Sequence, residues 1–150
     1  SDISWSSHNG KIYANWGKEN FEIDPIRRIT RKVPYKGIFF SPNGSYVFQA
    51  NYGIGFEVFR SSTNKKMTLS GIDEEKANTY IWLDDKTLLI GDITYEKSVV
   101  DVEKNLKKQT FQGQVLDYDP RTKEILYLRP ENVIGAFTVS NSTIRKLRID

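Results

Sequence analysis

"FSPNGSYVFQANYGIGFEVFRSSTNKKMTL", residues 40–69, decides the fold. An aromatic, Phe40, leads into the turn-forming Pro-Asn-Gly, and an apolar run, "SYVF", follows it. After a bend marked by Gly53 and Gly55 comes the alternating run "GFEVF", then the polar "SSTN", then two lysines entering "MTL". Asn-Gly and clustered Ser, Thr and Asn between β-branched and aromatic runs are hairpin chemistry. The stretch therefore reads as four short antiparallel strands joined by turns.

The same features recur along the chain. The basic pair returns as Arg27 and Arg28 in "IRRIT", Lys107 and Lys108 in "LKKQTF", and Arg145 and Lys146 in "IRKLRI", at spacings of 38, 42 and 38 residues. A second landmark holds the same register: Trp5, Phe40, Trp82 and Tyr118 each precede a polar turn and an apolar strand, in "WSSHNGKIY", "FSPNGSYVF", "WLDDKTLLI" and "YDPRTKEIL". The interval from the aromatic to a strand apolar is seven residues for Val47, Leu89 and Ile125, and eight for Tyr13. A third strand ("NFEID", "GFEVF", "SVVDV", "GAFTV"), a turn ("SSTN", "EKN", "SNST") and the basic fourth strand complete the pattern. A period of this length built mainly of strands is that of a propeller blade. The expected fold is all-β, with four antiparallel four-stranded blade-like repeats at about 1–34, 35–75, 76–112 and 113–150 in one domain.

"FSPNGSYVF" followed by "FEVFRSSTNKKMTL" resembles a blade of the TolB-like and WD-repeat-like β-propeller families, and "YDPRTKEILYL" resembles it in the fourth repeat. No repeat closes its third strand on Trp-Asp or carries the Gly-His pair. The resemblance implies a ring or arc of antiparallel sheets that serves as a binding platform, as the outer or sensory part of a larger bacterial protein. Nothing in the repeats supplies a strand to interlock a ring. The chain is therefore expected to be a small four-bladed propeller closed by face packing, a segment of a larger propeller, or an open arc completed by self-association, and the segment, or a dimer that mimics one, is favoured because terminal blade faces left bare would be apolar.

Composition sets outer bounds. A hydrophobic share of 38% over 150 residues is enough for a packed core. Without cysteine there can be no disulfide and no thiolate metal site. No apolar run approaches the roughly 18–20 residues of a membrane span, and "SDISWSSHNG" has neither the basic start nor the apolar stretch of a signal peptide. The compartment stays open, with an extracytoplasmic setting favoured by the resemblance. A net charge of +3 is a weak pointer to polyanions, because acidic residues are interspersed throughout.

Parity in the fourth strand accounts for the basic pairs. Arg28, Lys66, Lys108 and Lys146 share a face with Thr30, Thr68, Thr110 and Arg148, while Met67, Leu69, Phe111, Leu147 and Ile149 take the other. Arg31 and Gln109 break that dry side. A basic outer strand protects an open sheet edge from pairing with other chains, so the cations are read as structural and nucleic acid is disfavoured as a partner.

Catalytic signatures are lacking. His8 is the only histidine and has no second His or Cys to join it on a metal, and there is no Gly-x-Ser-x-Gly elbow. Asp84 and Asp85 sit in a turn, where adjacent carboxylates point apart, and "NGS" at 43 and "NST" at 141 are formal glycosylation sequons on expected turns. No cofactor, metal or catalytic residue is assigned. The connections between second and third strands, "NWGKEN", "NYGIG", "DITYEKS" and "RPENVIG", bring aromatics beside charges on exposed loops, the composition of partner hot spots. The candidate binding residues are Trp16, Tyr52, Asp92, Tyr95, Arg129 and Glu131. The function expected is non-catalytic recognition of a protein or peptide partner, or scaffolding, with self-association or further blades of the parent chain completing the ring. The alternative is an accessory, substrate-gating propeller of a hydrolase such as a peptidase.

Overall fold

The computed structural model describes residues 3–6, 9–16, 18–33, 38–51, 55–72, 77, 79–91, 96–134 and 138–150. They contain strands and turns and no helix, and therefore no helix long and apolar enough to cross a membrane. The chain forms two compact units, Ser1–Thr68 and Leu69–Asp150.

The first unit holds two four-stranded antiparallel sheets in chain order. One is built of β1 (Ile3–Ser6), β2 (Lys11–Trp16), β3 (Glu19–Asp24) and β4 (Ile29–Lys32). The other is built of β5 (Ile38–Phe40), β6 (Tyr46–Asn51), β7 (Gly55–Arg60) and β8 (Lys65–Met67). Tyr13 and Val47 are buried between these two sheets with Val33 and Phe40 packed against them, the rings of Tyr13 and Phe40 lying 5.1 Å apart.

In the second unit, β9 (Thr79–Trp82), β10 (Thr87–Gly91), β11 (Glu96–Asp101) and β12 (Leu106–Gln112) form the third sheet. The fourth has three strands, β13 (Gln114–Asp119), β14 (Glu124–Ile134) and β15 (Thr138–Arg148). Leu83, Leu89, Val99, Phe111, Ile125, Tyr127 and Ile149 are buried together between the two sheets. Gly113 makes the step from one to the other at φ 154°, where a Cβ would meet the Leu128 carbonyl oxygen at 2.5 Å, so the position admits only glycine without a shift of backbone.

Three sheets thus have the four strands expected of a blade, and the fourth departs from it. The "SNST" turn expected at 140–143 does not form: β15 runs through it, pairing Ser142 with Pro130 and Thr143 with Arg129. The segment has no glycine or proline to break the ladder, and its Thr-Ile pair favours strand. "RPENVIG" is likewise strand rather than loop as far as Ile134, Pro130 being accommodated where the register with β15 shifts.

The aromatic landmark coincides with the pairing register for Phe40 with Val47 and Tyr118 with Ile125, while in the other two sheets the cross-strand partner is the residue before Tyr13 or Leu89. Trp5 faces Ile12, Phe40 faces Val47 and Tyr118 faces Ile125, each partner seven residues on, while Trp82 faces Leu88.

The turns explain themselves through side-chain acceptors. Asp24 Oδ1 accepts from the backbone N–H of Ile26 and Arg27, Asp101 Oδ1 from Glu103 and Lys104, and Asp119 Oδ1 from Arg121 and Thr122. Each of these loops ends on a left-handed residue, Arg28 (φ 55°), Asn105 (φ 51°) or Lys123 (φ 57°), and the loop before β8 does so at Asn64 (φ 54°). The side-chain oxygen imitates a backbone turn and the left-handed residue re-enters the strand. Asp84 works likewise, taking the N–H of Lys86 and Thr87 on Oδ1 and the Thr87 hydroxyl on Oδ2. Burial pushes its carboxyl up, but these bonds outweigh it and hold the group below its ordinary value.

Candidate functional site

Three of the sequence-predicted binding residues, Tyr52, Asp92 and Tyr95, lie outside the described residues, as does His8. Trp16 ends β2, paired with Glu19 across the hairpin, and its side chain is 76% exposed. Glu19 holds the Lys32 ammonium at the same end of the sheet, so Trp16 stands beside an ion pair. Arg129 is exposed on β14 opposite Thr143, and Glu131 lies further along that strand. Trp16 belongs to the first unit, and Arg129 and Glu131 to the second.

The basic pairs are engaged within the fold. Lys66 bridges to Glu57 at 3.0 Å and Lys146 to Glu124 at 3.8 Å. Lys107 donates to the Gly71 carbonyl at 3.0 Å and Lys108 to the Asp150 carbonyl at 2.9 Å. Asn105 clips the same connector, accepting from the Ser70 N–H and donating to the Ser70 hydroxyl.

The densest constellation of polar groups among the described residues is one row of the first sheet. Tyr13, Glu22 and Arg31 are direct cross-strand partners on β2, β3 and β4, and therefore share a face. Lys11, two residues before Tyr13 on β2, joins them. Three donors converge on one carboxylate, and a fourth stands behind one of them. Lys11 Nζ and Arg31 Nε each reach Glu22 Oε1 at 2.7 Å, the Tyr13 hydroxyl donates to Oε2 at 3.0 Å, and Asn9 Nδ2 donates to the Tyr13 oxygen at 3.0 Å. Glu22 is buried, and burial alone would push its carboxyl up. The bonds from Arg31, Lys11 and Tyr13 reverse that and hold it below its ordinary value. Burial pushes the Tyr13 hydroxyl up to about 12, with the Glu22 carboxylate adding to the effect against the Asn9 bond. Near neutrality Glu22 is an ionised, fully engaged acceptor and Tyr13 a protonated donor, so neither is set to move a proton.

The equivalent rows of the next two sheets are nearly apolar. The loops after Asp24, Arg60 and Asp101 align the strands, so Tyr13–Glu22–Arg31 corresponds to Phe48–Val58–Met67 and to Leu89–Val99–Gln109. Glu22 stands where Val58 and Val99 are fully buried. Arg31 breaks the dry side of β4 because Glu22 waits opposite it, and Gln109 does so on β12 while donating to the Arg148 carbonyl at 3.1 Å. In sequence, "NFEID" laid on "GFEVF" sets Glu22 beside Glu57, and only the loop positions after Asp24 and Arg60 move it onto Val58.

This charged row lines a groove of about 450 Å³ in the first unit. Its wall includes Lys11, Arg31, Lys32, Val33, Phe40, Val47 and Ser61. The Ser61 Oγ is buried there without a hydrogen-bond partner. Among the described residues no group of three His, Asp or Glu side chains could hold a metal ion.

No family model matches the chain, and no curated protein matches it. Solved structures do. A chain in the crystal structure of the mitotic checkpoint complex is similar with a TM-score of 0.61 at 12% identity, over 87% of this chain and 43% of that one. The structure of U3-55K is similar with a TM-score of 0.58 at 10% identity, over 84% of this chain and 44% of the other. Both are WD40-type propeller proteins, and the likeness is one of fold: blade-like antiparallel sheets. The chain spans less than half the length of either.

Proposed function

We propose that this chain is a non-catalytic binding scaffold of the propeller type that recognises a protein or peptide partner through the connections between the second and third strands of its sheets. The observation that carries this reading is Trp16, a large aromatic 76% exposed at the end of β2 beside the Glu19–Lys32 ion pair. An exposed tryptophan next to charge offers apolar area with little entropy to lose, which is the make-up of an interface anchor. The WD40-type fold of the similar structures supports the reading as a class of scaffold. In the first unit Tyr52 joins Trp16 on its sequence position, and in the second unit Asp92 and Tyr95, on their sequence positions, with Arg129 and Glu131 on β14, are proposed as contacts of their own. Because the match covers less than half of either similar chain, the four sheets are read as part of a larger ring, completed by further blades or by a second copy.

The test is selection of peptides from a displayed random library against the full chain, followed by calorimetric titration of the winners. Trp16→Ala is expected to weaken them about tenfold or more at an unchanged melting temperature. Affinities that survive both Trp16→Ala and Arg129→Ala would overturn the assignment of this surface.

A further inference from the structure

The groove of the first unit combines features that the binding surface at Trp16 does not use. It lies between the first two sheets, whose apolar contribution to its wall is Val33, Phe40 and Val47. Its charged lining is unbalanced, with Lys11, Arg31 and Lys32 against Glu22 alone. Lys32 is held from outside the groove by Glu19. Glu22 has both oxygens committed to donors, Oε1 to Lys11 and Arg31 and Oε2 to Tyr13, so it is ill placed to receive an incoming cation. The sign of the remaining field favours an anion.

Two groups on the wall have bonding capacity in hand. An ammonium carries three N–H donors, and Lys11 spends one on Glu22 at 2.7 Å with its side chain 27% exposed. Ser61 Oγ is buried with no partner at all, an unfavourable state that a turn about its Cα–Cβ bond toward a ligand in the groove would relieve. A donor-rich lip over an apolar wall, in a space of about 450 Å³, has the form of a small-molecule or side-chain pocket. The three apolar residues argue for a ligand with an apolar body rather than for a bare inorganic anion.

We propose that this groove is a carboxylate-binding site, taking a carboxylate carried on an apolar body, with Lys11 Nζ and Ser61 Oγ donating to the carboxylate and Val33, Phe40 and Val47 packing on the body. Glu22 is a positioning residue: it holds the Lys11 and Arg31 side chains on the groove wall and contributes no bond to the ligand. The carboxylate can come from a free small acid or from an acidic side chain of a polypeptide.

The full chain, isotopically labelled, is titrated with 3-phenylpropionate and, separately, with a capped peptide carrying glutamate beside phenylalanine. Amide resonances are followed by NMR. The neutral twins, 3-phenylpropionamide and the glutamine peptide, are run alongside, with inorganic phosphate as a bare anion. Saturable shifts at residues 9–13, 31–33, 44–47 and 61 with a carboxylate and not with its twin are the expected result, and the arm that binds more tightly identifies the source. Lys11→Gln should weaken binding about tenfold and Ser61→Ala about threefold to tenfold. Ser61→Ala removes only an unbonded hydroxyl, so it keeps the test valid if Lys11→Gln disturbs the fold. Equal binding of the neutral twins, phosphate binding at these residues in preference to both carboxylates, the absence of shifts in either arm, or affinity indifferent to Ser61→Ala would each overturn the proposal.

Discussion

Glu22 shows how one residue can be costly in isolation and tolerable in company. Removing a carboxylate from water is opposed by several kcal/mol, and the bonds from Lys11, Arg31 and Tyr13 offset that penalty rather than leaving a surplus. Two outcomes follow from this balance. Glu22→Gln should destabilise the protein by about 2–3 kcal/mol in urea titration, because it strands two cations on one face. The triple replacement Tyr13→Leu, Glu22→Val, Arg31→Gln, which copies the third sheet's row, should be neutral or stabilising. The titration behaviour has a definite sign as well. Tyr13 is raised from 10.0 to about 12, so its contribution is complete below pH 10 and is lost as the pH climbs from 10 toward 12. Tyr118 is raised too, by burial and then by the Asp84 and Asp119 carboxylates, and acts in the same direction. Glu22 and Asp84 are lowered, so their contributions are complete above pH 4.5 and are lost as acid protonates the folded carboxyls. Urea midpoints measured across pH should fall at both ends, and Tyr13→Phe should flatten the alkaline limb and, by removing one of the bonds that hold Glu22 down, make the acid limb shallower as well. Parity in the sequence was sufficient to mark Arg31 as out of place. It could not pair Arg31 with Glu22, because pairing depends on the register of β3 against β4, which a one-residue slip would reverse.

At the level of elements, the loops carry the most sequence information. Asp-Pro in "DPIRR" and "DPRTK" and the aspartate of "DVEKN" announce turns by their chemistry, and the structure adds that each ends on a left-handed residue. A lysine in that conformation is strained by about 1–2 kcal/mol, while glycine loses about 0.5–1 kcal/mol of that advantage through its freer unfolded chain. Lys123→Gly should therefore stabilise the second unit by about 0.5–1 kcal/mol, read as a higher urea midpoint at an unchanged slope. The fourth sheet was the least legible. Its "SNST" has turn-type composition, yet no residue in it compels a reversal, and the long ladder between β14 and β15 overrides the weak local preference. For Trp16 and Arg129, composition could not tell a loop from a position within a strand.

For the molecule as a whole, the repeat length and the alternation of apolar residues were enough to anticipate antiparallel sheets packed over apolar cores, since such a sheet must cover its dry face with a neighbour. Leu83, Leu89, Val99 and Ile125 meet that need in the second unit. If the four sheets are part of a larger ring, the chain in solution should have a mass of at least twice 17.3 kDa by light scattering, or should gain stability on addition of its missing blades. A monodisperse, highly stable species at 17.3 kDa would instead mean that four sheets suffice. One detail of the loops reaches further than stability. The connection from Asp119 to Lys123, between the first and second strands of the fourth sheet, has the design used between the third and fourth strands of the first and third sheets. A hairpin, rather than a whole blade, is then the smallest cassette this architecture can copy, and a chain assembled from such cassettes can lose or acquire strands without solving a new reversal each time.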